Sequence, residues 1–442
     1  MVIQLSDHFT YKKLLQFTLP SIIMMLFTSI YGVVDGFFVS NFVGKTPFAA
    51  VNFIMPVLMI FGAIGSMFGS GGSALIAKTM GEGDEQKAVK LFSLFVYISA
   101  ACGIVLAVFG IIFIRPIAAM LGAEGEMLDN CVIYGRIILM ALPAFMLQYE
   151  FQSFFVTAEK PQLGLYVTVA AGVTNMVLDA LFVAVIPMGL VGAAVATALS
   201  QCVGGVVPLV YFARENTSLL RLTKTSFDGK AVFKAGSNGF SEFLSNISMS
   251  VVGMLYNVQL IRYAGENGVA AYGTLMYVNM IFLAAFIGYS IGTAPIIGYH
   301  YGAENHAELK SLLKKSLVII GVFSAAMLVA SEALAKPLSL IFVGYDSSLL
   351  SMTLRAFLIF SFSLLFAGIP IFGSSFFTAL NDGLVSALIS FLRTVVFQVA
   401  AVIIFPMIWG IDGIWVSIVA AEVVAAVVTV LFWLGNRKKY HY

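Results

Sequence analysis

Apolar runs long enough to cross a membrane recur along this 442-residue chain, each ended by a short polar joint. A helix needs roughly 20 mostly apolar residues to span a bilayer. Runs of that kind occupy 14–39, 48–77, 89–113, 130–156, 162–187, 189–212, 232–261, 267–298, 311–334, 350–379, 384–408 and 411–434. The pattern predicts an all-α polytopic membrane protein with twelve transmembrane helices. Two joints are slight: Pro187-Met188-Gly189 and Trp409-Gly410. The first run is too long for the apolar core of a signal peptide and ends at no small-residue cleavage site, so it is expected to remain as the first helix.

The chain also matches itself. A shift of 221 residues, half its length, sets Gly32 on Gly253, Gly44 on Gly265, Gly71 on Gly292 and Gly81 on Gly302. Arg115-Pro116 meet Lys336-Pro337, Thr157-Ala158 meet Thr378-Ala379, and Gly189 and Gly192 meet Gly410 and Gly413. Apolar matches arise by chance in such a chain. Matched Gly and Pro imply the same backbone event at the same place. Two six-helix lobes are therefore expected: residues 1–213 and 232–442, joined by a basic linker over 214–231. An even helix number inserts both lobes in the same sense, so the axis relating them runs along the membrane normal and a central cavity lies between them.

Composition agrees with membrane burial: 60% of residues are hydrophobic and 10% charged, against roughly 25% charged in a soluble domain. Seventeen of the 24 Lys and Arg fall in the joints that hold both termini, four in the opposite joints, and three (Arg136, Arg355 and Arg393) within or at the edges of spans. The positive-inside rule then predicts cytoplasmic termini. Cys102, Cys131 and Cys202 lie in apolar spans without pairing or metal spacing, and are expected to be packed thiols. No P-loop, His/Cys cluster or nucleophile elbow occurs, so an enzyme reading lacks a site and ATP is not the expected energy source. Nothing suggests a nucleic-acid module.

Charge inside the spans is where chemistry is expected, because a carboxylate in hydrocarbon costs at least roughly 2.5–3.5 kcal/mol. Asp35 lies in the first span, and Asp179 in the fifth, four residues after Asn175 and so on the same helix face. Such a carboxyl can exchange a proton near neutral pH, or hold a cation with neighbouring oxygens. Asn175 and the Thr197 hydroxyl would suit Na+. Glu150, Glu242 and Glu422 are weaker candidates; Asp412, Glu332 and Arg355 fall near span ends. Pro20, inside the first span, removes a backbone hydrogen bond and can kink the helix, and a bend there is expected to couple the state of Asp35 to the shape of the lobe.

In order and spacing, Leu19-Pro20-Ser21, Asp35, the run Gly65–Gly72 ending at Lys78-Thr-Met-Gly81, Leu121-Gly122-Ala123, Asn175-Met-Val-Leu-Asp179 and Gly189-Leu-Val-Gly-Ala-Ala-Val-Ala-Thr197 resemble the multidrug and toxic compound extrusion (MATE) family, within the wider group that includes lipid and oligosaccharide flippases. The resemblance implies secondary antiport at the cell membrane: H+ or Na+ enters as an amphipathic, often cationic, compound leaves, with no cofactor. It implies a cation site at Asp35, Asn175, Asp179 and Thr197. It also implies a substrate cavity lined by Met, aromatic and a few polar groups, for which Tyr31, Met55, Phe61, Tyr149, Glu150, Phe151, Glu242, Tyr256, Met276 and Tyr277 are candidates. A monomer is expected. The tenth span lacks the acidic residue that some members place there, which favours the first-lobe site. A flippase for a lipid-linked sugar is the alternative, and a non-transporting receptor or channel a second.

Overall fold

The computed structural model describes residues 3–442 and, among them, helices but no strand. The first half holds α1 (Tyr11–Val43), α2 (Lys45–Gly81), α3 (Glu85–Met120), α4 (Gly125–Met140 and Leu142–Thr157), α5 (Pro161–Val185) and α6 (Gly189–Ala213). The second holds α7 (229–264), α8 (266–302), α9 (His306–Val343), α10 (Ser347–Ala379), α11 (Gly383–Trp409) and α12 (Ile411–Tyr440). Most helices run past the apolar spans, since backbone hydrogen bonding does not stop where the hydrocarbon does. Two expected straight spans are interrupted. The segments of α4 meet at 58°, where Pro143 has no N–H to give. In α10, Ser361–Ser363 form one 3-10 turn. The two breaks occupy the same place in the repeat.

The glycine matches prove to be matched conformations. Gly44 and Gly265 both have positive φ (117° and 63°) and separate α1 from α2 and α7 from α8. Gly189 and Gly410 (63° and 60°) open α6 and α12. A Cβ is strained in that region, so the joints demand glycine.

The seam between the halves obeys the same two-fold relation. A Cβ on Gly81 would run into the Tyr299 carbonyl oxygen, and one on Gly302 into that of Lys78; each of these contacts is the other's repeat image. Likewise Gly71 lies against Gly239 as Gly292 lies against Thr18. Backbone therefore rests directly on backbone along α2–α8, α2–α7 and α1–α8, toward the face that carries both termini (the terminal face). Toward the far face the halves part. At Gly32 and Gly36 of α1, Gly253 of α7 and Gly273 of α8 a Cβ would meet nothing within 4 Å.

Polar clasps reinforce the terminal face. The chain before α1 crosses between the halves: Leu5 N–H donates to Glu159 at 2.6 Å, and Phe9 N–H to Glu308 at 2.9 Å. Leu5 and Phe9 are fully buried with Leu309 and Leu312. Beyond α6 the segment before α7 is no free linker, for Thr223 N–H donates to Ser93 of α3 and Leu220 is buried. Pro20 lies within an unbroken stretch of α1, between the seam contacts of Thr18 and Ile22.

Candidate functional site

Three helices of the first half build a polar corner. Asn175 and Asp179 occupy one face of α5, and Asp179 is its last α-helical residue before a π-helical turn, Ala180–Val185. A second π turn, Val39–Val43, follows Asp35 in α1. Such widened turns re-aim side chains and collect at functional sites. Thr197 of α6 donates to Asp35 Oδ1 at 3.5 Å, and Asn175 Nδ2 to Thr197 Oγ1 at 3.5 Å. Asp179 stands beside Asp35. Both carboxylate oxygens of Asp179 and Oδ1 of Asn175 are buried without a hydrogen-bond partner among the described residues. Leaving such atoms charged and unpaired is costly, and a proton or a cation relieves it. No group of three or more His, Cys, Asp or Glu gathers among the described residues. Two carboxylates, an amide and a hydroxyl suit H+ or an alkali cation better than a soft metal.

One member of the corner escapes sequence reading. Tyr134 of α4 lies near Asp35, Asp179 and Thr197 and donates to Met55 Sδ at 3.8 Å. Its side chain is fully buried, but an aromatic in an apolar span carries no signal of its own.

The matching corner of the second half is neutral. Tyr256, the repeat counterpart of Asp35, donates to Gln398 Oε1 at 2.6 Å and lies 3.0 Å from the Ser417 hydroxyl. Beside it opens a cavity of about 260 Å³, lined mainly by α7, α8, α10, α11 and α12, with Ser70, Ser73 and Ser153 from the first half. Glu242, Tyr256 and Met276 line it.

Other candidates do not. Tyr277 points away and stacks on Phe342 (3° between planes). Glu150 is wholly buried inside the first half, its backbone against Gly69 and its carboxylate without a partner among the described residues. Arg136 reaches the Ile111 carbonyl, not Glu150. Phe151 stacks on Phe212, Tyr149 hydrogen-bonds Met59, Tyr31 packs on Phe27, and Met55 and Phe61, partly buried, pack against the first-half core. Glu150 and Phe151 are buried within the first half, and Tyr31, Met55, Phe61 and Tyr149 are partly exposed. Glu422, another of the weaker candidates, binds Arg393 through three hydrogen bonds. Arg355 and Asp412 pair at the far face, and Glu332 accepts from Ser361.

Two like halves of six spanning helices, joined along one face and parted around a cavity at the other, define a membrane transporter. The MatE family model matches residues 20–181 and again 243–404, and the chain belongs to that family. It is 26% identical over 437 residues to the multidrug export protein MepA of Staphylococcus haemolyticus, covering 97% of this chain and 94% of that one. It is 24% identical over 425 residues to MepA of Staphylococcus aureus, covering 95% and 93%. Among solved structures, a MATE protein in complex with MaL6 superposes with a TM-score of 0.93 at 24% identity, over 98% of both chains. An outward-facing multidrug resistance MATE transporter gives 0.93 at 24%, over 98% and 97%. A transporter from Pyrococcus furiosus gives 0.91 at 24%, over 98% of both.

Proposed function

We propose that this multi-pass protein of the cell membrane exports amphipathic, chiefly cationic compounds in exchange for H+ or Na+. One cavity is exposed to each side in turn as the halves rock about the glycine seam. The observation that carries the reading is the corner of Asp35, Asn175, Asp179 and Thr197, whose buried acceptors lack partners and whose acids have no counterpart in the second half. Occupying the corner neutralises charge in α1 and α5. The α1 helix also runs along the seam, so the ion's arrival and departure can bias how the halves meet. Multidrug export is what the names of the relatives state, and a cavity of Met, Tyr and one unpaired Glu suits flat cations.

The basic joints favour a cytoplasmic terminal face. On that assignment the conformation described is open outward and sealed inward. Transport is favoured over catalysis by the family to which the chain belongs and by the names of its relatives. A flippase holding a diphosphate would want several free cationic side chains, whereas the one Arg of this cavity is already bonded to Glu422.

The test is dye efflux from proteoliposomes under an imposed pH or Na+ gradient. Asp35→Asn and Asp179→Asn should each lower gradient-driven efflux by at least about tenfold, equivalent to about 1.4 kcal/mol. Wild-type rates in both variants would remove the coupling assignment. If neither gradient moves any amphiphilic cation, the export reading fails.

A further inference from the structure

The cavity contains a donor set that attraction for a cation leaves unused. Arg393 sits in a π-helical turn of α11, Leu392–Phe397, and faces Glu422 of α12. Its Nε lies 3.2 and 3.0 Å from the two carboxylate oxygens, and its Nη2 lies 2.8 Å from one. The side chains are 15% and 7% exposed, and both residues line the cavity. This fork engages Nε–H and one Nη2–H. The two Nη1–H and the second Nη2–H have no partner among the described residues. A guanidinium offers five donors in a fixed plane, so three remain for whatever enters.

Charge decides what that is. The ionisable acids and bases lining the cavity are Glu242, Arg393 and Glu422. Arg393 and Glu422 neutralise each other, leaving the Glu242 carboxyl as the one group there that a single positive charge on the substrate can pair with. A substrate carboxylate at Arg393 would add an uncompensated charge beside Glu422. A neutral oxygen would not.

Distance follows from the helices. Ser386 of α11 donates to Ser241, the neighbour of Glu242, at 2.8 Å, which sets the two at one depth. Arg393 lies two turns further along α11, roughly 10 Å toward the far face. Further toward the far face, Tyr256 and Tyr272 line the same cavity and stack in parallel (1° between planes), a flat wall for a flat body.

We propose that Arg393 is a specificity-determining residue whose free donors bind a neutral acceptor oxygen of the substrate. The cavity then selects singly charged aromatic cations that carry an amide, ketone or ether oxygen roughly 10 Å from the charge. The proposal rests on the export reading only in taking this cavity as the substrate site.

Three analogues of one rigid fluorescent aryl amine test it, alike except for a carboxamide, a hydrocarbon isostere or a carboxylate at that distance. Their Kd values are measured by fluorescence polarisation on the full chain in nanodiscs. The carboxamide is expected to bind about tenfold tighter than the hydrocarbon, and the carboxylate no tighter than the hydrocarbon. Arg393→Met with Glu422→Met should abolish the carboxamide advantage. Both residues are changed together, since removing one strands a buried charge. Equal affinity of the native protein for carboxamide and hydrocarbon overturns the proposal, as does tightest binding of the carboxylate. So does a double variant that keeps the preference. Binding of none of the three sinks the export reading and this inference with it, whereas equal binding of all three sinks the inference alone.

Discussion

Asp382, in the joint between α10 and α11, shows how much one side chain can hold. It accepts from Val385 N–H as the cap of α11, and from Lys439 Nζ at 2.9 Å and the Tyr440 hydroxyl at the end of α12. Burial pushes its carboxyl up, but these donors outweigh burial and hold it below the usual carboxylate range. A carboxylate held below its unfolded value stabilises the fold fully above pH about 4 and loses that contribution as the pH falls through the folded value. Asp382→Asn should therefore cost on the order of 1 kcal/mol at pH 7 and less at pH 3. Melting curves that stay equally far apart at both pH values would count against it. From sequence, Asp382 was merely a polar residue in a joint. Residue-scale pairings stayed hidden because they depend on how each helix is rotated about its axis. Glu422 meets Arg393 across two helices, while Glu150 turns inward though it neighbours Tyr149.

Among the elements, α2 and α8 carry the seam, and their contacts come in symmetric pairs. Gly81→Ala and Gly302→Ala press on repeat-equivalent carbonyls, so they should act alike. Each is expected to cost about 1–3 kcal/mol by overpacking and to drive the halves apart at the terminal face. Spin labels at Gln86 and Lys310, in a background without native cysteines, would report a longer distance in both variants. An unchanged distribution would show that the seam yields without separating the halves. The twelve helices and their repeat were legible because both rest on length, apolarity and glycine position. The bend in α4, the 3-10 turn in α10 and the π turns were not, because local rewinding leaves apolar composition unchanged. Pro143 marked one of them, but Pro20, Pro56 and Pro116 lie within helices that continue unbroken, so proline alone does not name the place.

At the scale of the whole molecule the scaffold is two-fold and the polar chemistry is not. The corner of α1, α5 and α6 has a geometric twin in α7, α11 and α12, where Tyr256, Gln398 and Ser417 close on one another through hydrogen bonds. The residues of the first corner were legible, since a carboxylate in an apolar span announces itself. That the twin is a neutral cluster, hydrogen-bonded within itself beside the cavity, needed the fold. Having one such corner rather than two bears on the energetics of the cycle. If one ion enters for each singly charged compound that leaves, no net charge crosses the membrane. Export of a monocation should then follow the ion gradient and be indifferent to voltage. Vesicles clamped at zero potential should export under a gradient, and vesicles given only a potential should not. Efflux that tracks the potential would mean that Asp35 and Asp179 each release an ion per turn, making the exchange electrogenic with a stoichiometry of two.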